Sequence, residues 1–97
     1  MKQPVPDGDI ADIAIVLAAS DSGPVMCIVD LTSSGVAREV LNTMDPTRSQ
    51  ASISFDNVPA QLLGVPGEGW QQSQELLTRA AVLFAFEQCG GAQASLD

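Results

Sequence analysis

The chain lacks histidine and tyrosine altogether, and its 97 residues include four basic side chains, two cysteines and one tryptophan. Each shortage closes off a class of chemistry. Without His there is no Ser-His-Asp triad, no His-ligated zinc and no imidazole pH switch. Without clustered Lys and Arg there is no surface for a phosphate backbone, so direct nucleic-acid binding is not expected. Cys27 and Cys89 form no CxxC pair and are too few for the disulfide framework of a small secreted protein. Both are expected as reduced thiols packed like small hydrophobes. No unbroken apolar run exceeds seven residues, against the roughly 20 needed to span a bilayer. The opening Met1-Lys2-Gln3-Pro4-Val5-Pro6-Asp7 has no apolar stretch of the kind a signal peptide needs. The expectation is a cytoplasmic protein that does not engage a membrane.

What is abundant is acid. Twelve Asp and Glu face the four basic residues, for a net charge of −8 and a pI near 4.1. Apolar residues make up 45% of the chain and charged ones 16%, which suits a packed core rather than disorder. The length suits one domain. Residues 1–8, with Pro4, Pro6 and Gly8, read as a flexible leader, residues 9–91 as a single domain and 92–97 as a flexible tail.

Two apolar runs, residues 10–18 and 25–31, flank Ser20-Asp21-Ser22-Gly23 and predict a hairpin. Beyond Thr32-Ser33-Ser34-Gly35 the apolar positions Ala37, Leu41 and Met44 recur at helical spacing, and Asp45-Pro46 would end that helix. A third meander strand is the alternative for residues 36–44. Ala51-Ser52-Ile53-Ser54-Phe55 alternates like a half-buried strand. Asp56-Asn57 with Pro59 suggests a single helical turn that Gly64 closes. Residues 71–88 form the clearest helix, with Gly90-Gly91 as its stop. Residues 80–86 are apolar on every side, so that helix needs cover from two directions. The expected fold is α+β: a three- to four-stranded, mainly antiparallel sheet with a C-terminal helix packed on one face, in the order β-β-α-β-α.

Few residues suggest chemistry. Asp7-Gly8-Asp9-Ile10-Ala11-Asp12 superficially resembles a calcium loop, but its fifth residue is Ala11 and its sixth is Asp12, where an EF-hand needs an oxygen ligand and then Gly. No metal site and no cofactor is expected. Thr32, Ser33, Ser34 and Gly35, between a strand and a helix, could offer N–H groups and hydroxyls to an anion. Helix capping explains the same residues, and the lysine of a phosphate loop is missing. No nucleophile has a base beside it, so no catalytic residue is assigned and no enzymatic activity is expected.

Charge and hydrophobic anchors then point to protein–protein interaction. The leading expectation is a small inhibitor or adaptor, of the kind phages and mobile elements encode, that binds a larger protein with a basic surface. Its contact residues would be the acids Asp7, Asp9, Asp12, Glu75 and Glu87 with Trp70 and Phe86. A Trp at a helix entrance more often staples the preceding loop to the core, with the exposed anchor as the alternative for Trp70. The second expectation is an assembly subunit, such as a homodimer, that self-associates through the C-terminal helix.

Overall fold

A computed structural model describes residues 1–97. Six strands precede one helix: β1 (Lys2–Pro6), β2 (Ile13–Ala18), β3 (Val25–Asp30), β4 (Val36–Val40), β5 (Gln50–Phe55), β6 (Ala60–Leu63) and α1 (Gly69–Leu96). The strands form two three-stranded antiparallel sheets, ordered β1-β5-β4 and β2-β3-β6. The class is α+β, as expected, but the order of elements differs. By its contacts the chain divides into two compact units, Met1–Val16 with Cys27–Leu63, and Leu17–Met26 with Gly64–Asp97.

In the first unit β5 is the central strand, and that position decides its burial. It pairs on one side with β4, from Val36 opposite Phe55 to Val40 opposite Ala51. On the other it pairs with β1, where Val5 meets Ala51 and Pro6 meets Gln50. Ala51, Ser52 and Ile53 are therefore buried in succession, where simple alternation predicts a half-exposed strand. Ile53 is the largest fully buried side chain, 1% exposed. Val29 and Leu31 are the other buried apolar residues of this unit.

The leader is not a leader. Residues 2–6 are β1, and Pro4 and Pro6 are tolerated because β1 lies at the edge of its sheet. Asp7 then turns the chain with a positive φ of 53°, and Gly8 is buried against Val5, Ala51 and Ile53.

Residues 36–40 are strand β4 rather than the first turns of a helix. Two effects outweigh the helical spacing of Ala37, Leu41 and Met44. Residues 30–32 instead close a local Asx-type turn, the Thr32 N–H and hydroxyl both donating to Asp30 Oδ1 at 2.8 and 2.6 Å. And β5 offers a complete ladder of partners to a segment that begins and ends in β-branched Val. Gly35 makes the corner. Its φ is 95°, its carbonyl accepts from the Asp56 N–H at 2.9 Å, and a Cβ there would stand 2.3 Å from the Asp56 oxygen.

The expected helical turn after Asp56 is also absent. Asn57 takes a φ of 49°, and the chain continues as β6. The predicted hairpin is present: β2 and β3 are neighbours, with reciprocal backbone hydrogen bonds between Ser20 and Gly23 at 3.2 and 3.0 Å.

The second unit holds this turn, the buried Val25 and Met26, and α1. Helix α1 runs 28 residues and passes straight through Gly90-Gly91, which keep negative φ, so neither the predicted stop nor the flexible tail at 92–97 is seen. Of all its residues Gly69 alone is buried, so its own unit does not cover an apolar helix face.

Candidate functional site

The entry to α1 explains why the helix starts where it does. The Gly69 N–H donates to the Pro24 carbonyl at 3.0 Å. A Cβ at position 69 would lie within 3 Å of the Val25 and Pro24 backbone and of Leu17 Cδ1, so the helix is seated on the 17–26 segment through a residue that has no side chain. Glu68 accepts the first ladder bond, from Gln72 N–H at 3.0 Å, without offering a side-chain cap.

From Trp70 onward the helix is exposed. Trp70 is 58% accessible, Leu77 64%, Phe84 57% and Phe86 73%, and Leu76, Val82 and Leu83 are exposed as well. At 100° per residue, Leu83, Leu76, Ala80, Phe84, Leu77, Trp70 and Ala81 occupy an arc of about 160°, while Val82 and Phe86 lie outside it beside Glu75 and Arg79. Soluble proteins seldom leave so much apolar surface uncovered. The polar side is self-contained: Gln71 Nε2 donates to Glu75 Oε1 at 3.2 Å, and the Thr78 hydroxyl donates to the Gln74 carbonyl at 2.9 Å.

The expected contact residues fall into two groups on different units. Trp70, Glu75, Phe86 and Glu87 all lie exposed on α1. Trp70 is thus not the buried staple of the preceding loop. Asp7, Asp9 and Asp12 lie in the connection between β1 and β2, where two of them are structurally engaged. The Ser49 hydroxyl donates to Asp9 Oδ1 at 2.6 Å and to Asp7 Oδ1 at 3.4 Å. Asp12 holds the chain through its backbone, its carbonyl accepting from Leu31 N–H at 2.8 Å, and its side chain is exposed.

Arg38 is the residue that sequence reasoning missed here. Its Nη1 reaches the carbonyls of Gly8, Asp9 and Ala11 at 3.4, 3.2 and 2.8 Å. One cation thus pins an entire acidic turn by its backbone. Nothing local announced it, because its acceptors stand 27 to 30 residues away.

The segment Thr32, Ser33, Ser34 and Gly35 leads into a strand, so it has no helix N-terminus to present to an anion. Its best donors are occupied by the Asp30 carboxylate, and these bonds hold the Asp30 pKa below its ordinary value. Asp45 is lowered for the same reason, by the Thr47 hydroxyl and N–H, with a smaller contribution from Arg48. The shared Asp-x-Thr spacing at 30–32 and 45–47 was the legible signal for both turns.

An open depression of about 370 Å³ in the first unit is lined by Ile13, Ile28, Asp30, Pro59, Ala60 and Gln61. It gathers no nucleophile–base pair. Both cysteines are free, Cys27 half-buried and Cys89 exposed on α1, so Cys89 is not the core residue expected. No helix is long and apolar enough to cross a membrane. No protein-family model matches the chain, and no curated protein or solved structure matches it either.

Proposed function

We propose that this protein is a non-enzymatic interaction element that docks through α1. Trp70, Leu77, Phe84 and their neighbours would be the anchors, with Glu87 among them and Glu75 on the other side of the helix. The observation that carries the reading is a 28-residue helix with a single buried residue and exposed large apolar side chains along its first two-thirds. Such a helix is stabilised by burying its apolar arc, and its own unit does not supply the cover. Asp7 and Asp9 accept from the Ser49 hydroxyl and Asp12 is exposed, so their carboxylates would add acidic charge without forming part of α1.

The test uses an apolar-surface dye and light scattering on the full chain, beside the double variant Leu77→Asp, Phe84→Asp. The docking reading expects self-association or strong dye binding in the parent, lost in the variant at unchanged sheet content by circular dichroism. A parent that is monomeric and binds no dye would sink it.

A further inference from the structure

We infer that the outer edge of β2, at residues 13–16, is a docking site for an extended segment of another protein, with apolar residues at alternate positions and a basic side chain among them. It lies in the first unit and does not depend on docking through α1.

The register of the β2–β3 hairpin shows which backbone groups face outward. Ser20 and Gly23 exchange backbone bonds at one end, and the Asp12 carbonyl accepts from the Leu31 N–H at the other. Equal lengths of chain separate these pairs along the two strands, so the ladder runs between them without a bulge. Antiparallel pairs alternate, so Ala14 and Val16 bond inward to β3 while Ile13 and Ile15 turn their N–H and C=O outward. β2 is the end strand on that side of its sheet, and neither isoleucine makes a backbone bond to a turn or loop.

The other three sheet edges are guarded. β1 carries Pro4 and Pro6, β4 carries Arg38 and Glu39, and β6 is four residues long, between Pro59 and Gly64. Prolines, charges and shortness all discourage strand addition. β2 reads Ile-Ala-Ile-Val-Leu-Ala, with no proline and no charge. Its outward N–H and C=O groups, at strand spacing, are matched by the same groups of an added strand.

The face beside this edge selects the occupant's side chains. The same register sets Ile15 opposite Ile28 and Ile13 opposite Asp30, all on one face. Ile13 is 64% and Ile15 56% exposed, and both call for apolar neighbours across the new pair. Ile13, Ile28 and Asp30 line the depression of about 370 Å³ together with Pro59, Ala60 and Gln61, and no cation is in that lining. Asp30 is exposed, so a positive charge on the occupant would complete it. The added strand would run about 10 Å from β3, two strand spacings away, a distance that an arginine and the Asp30 carboxylate span between them. A second copy of β2 does not fit, since it brings no cation and each copy carries a net charge of −8.

The test titrates the full chain with the peptide acetyl-Val-Thr-Arg-Thr-Val-Thr-amide, read by backbone amide NMR, beside the same peptide with glutamate for arginine. Amide shifts are expected at residues 13–16 and 28–30, and the glutamate peptide should bind about tenfold more weakly or worse. Ile15→Pro removes an outward N–H without breaking a β2–β3 bond, so at retained sheet content it should weaken binding about tenfold or more. Asp30→Asn keeps the Oδ1 acceptor for Thr32 and should erase the preference for arginine while binding persists; this readout holds even if the proline variant does not fold. No shift with either peptide up to about 1 mM would overturn the site. Equal binding of the two peptides, shifts confined to α1, or unchanged binding in a folded Ile15→Pro variant would overturn it as well. Concentration-dependent shifts at 13–16 in the protein alone would make the occupant a second copy and overturn the basic partner.

Discussion

The sheet β1-β5-β4 and the helix α1 solve opposite problems. The sheet buries its central strand: β5 is paired along both edges, Ala51, Ser52 and Ile53 are buried in a row, and the turn beside it is tied down by Arg38. The helix satisfies its backbone alone and leaves its side chains without cover. Backbone hydrogen bonds are local in a helix and non-local in a sheet, so a helix can complete its ladder while its apolar surface remains unspent. That asymmetry is why the sheet buries its central strand while the helix leaves its apolar side chains exposed.

The sharpest way to test the contrast is to remove the same kind of side chain from each region. Ile53→Ala should cost about 3–4 kcal/mol by chemical denaturation, since a fully buried branched chain leaves a cavity. Val82→Ala, exposed and outside the proposed contact arc, should stay within about 0.5 kcal/mol. Equal losses would mean that the helix is already covered.

Arg38→Met should come next, at about 1–2 kcal/mol, because three carbonyls lose their donor. Hydrogen exchange should then quicken in residues 7–12 and leave α1 unaffected. If the two regions responded together, the division into two units would fail as a description of stability.

Gly90→Ala should act in the other direction, stabilising by roughly 0.5–1 kcal/mol. The residue has a negative φ, sits mid-helix and has open space around it. A loss of stability would instead place another surface against that position.

The smallest effect is on pH. Asp30 and Asp45 have folded pKa values below their ordinary ones, so their contribution is present at neutral pH. It should fade as the pH falls below the ordinary Asp value of about 3.9 and on through the lower folded pKa values. Asp30→Asn with Asp45→Asn should flatten that acid limb of the stability curve. An unchanged limb would show that the two turns contribute nothing to it.

Several features were legible from residue order alone. The β2–β3 hairpin follows from two β-branched runs around Ser20-Asp21-Ser22-Gly23, and α1 from its apolar density. The all-round apolar stretch at 80–86 already implied a need for further cover. Residues 36–40 were misread for an instructive reason: their spacing suits a helix, but partners on β5 stand far along the chain and no local pattern reveals them. Gly90-Gly91 misled in the opposite sense, since glycine permits a helix stop without imposing one. Among the expected contact residues Trp70 and Phe86 are exposed, although a Trp at a helix entrance reads first as a loop staple, and the bonds from the Ser49 hydroxyl to Asp7 and Asp9 were out of view of any local pattern.

Composition and local pattern were enough for the charge, the excluded histidine chemistry, the hairpin and the helix, because each depends on residue type or on neighbours a few positions apart. The central place of β5, the edge place of β1, the reach of Arg38 and the exposure of α1 came from folding alone. Each depends on which distant segments meet, and that outcome is settled by competition among pairings rather than by any one stretch of chain.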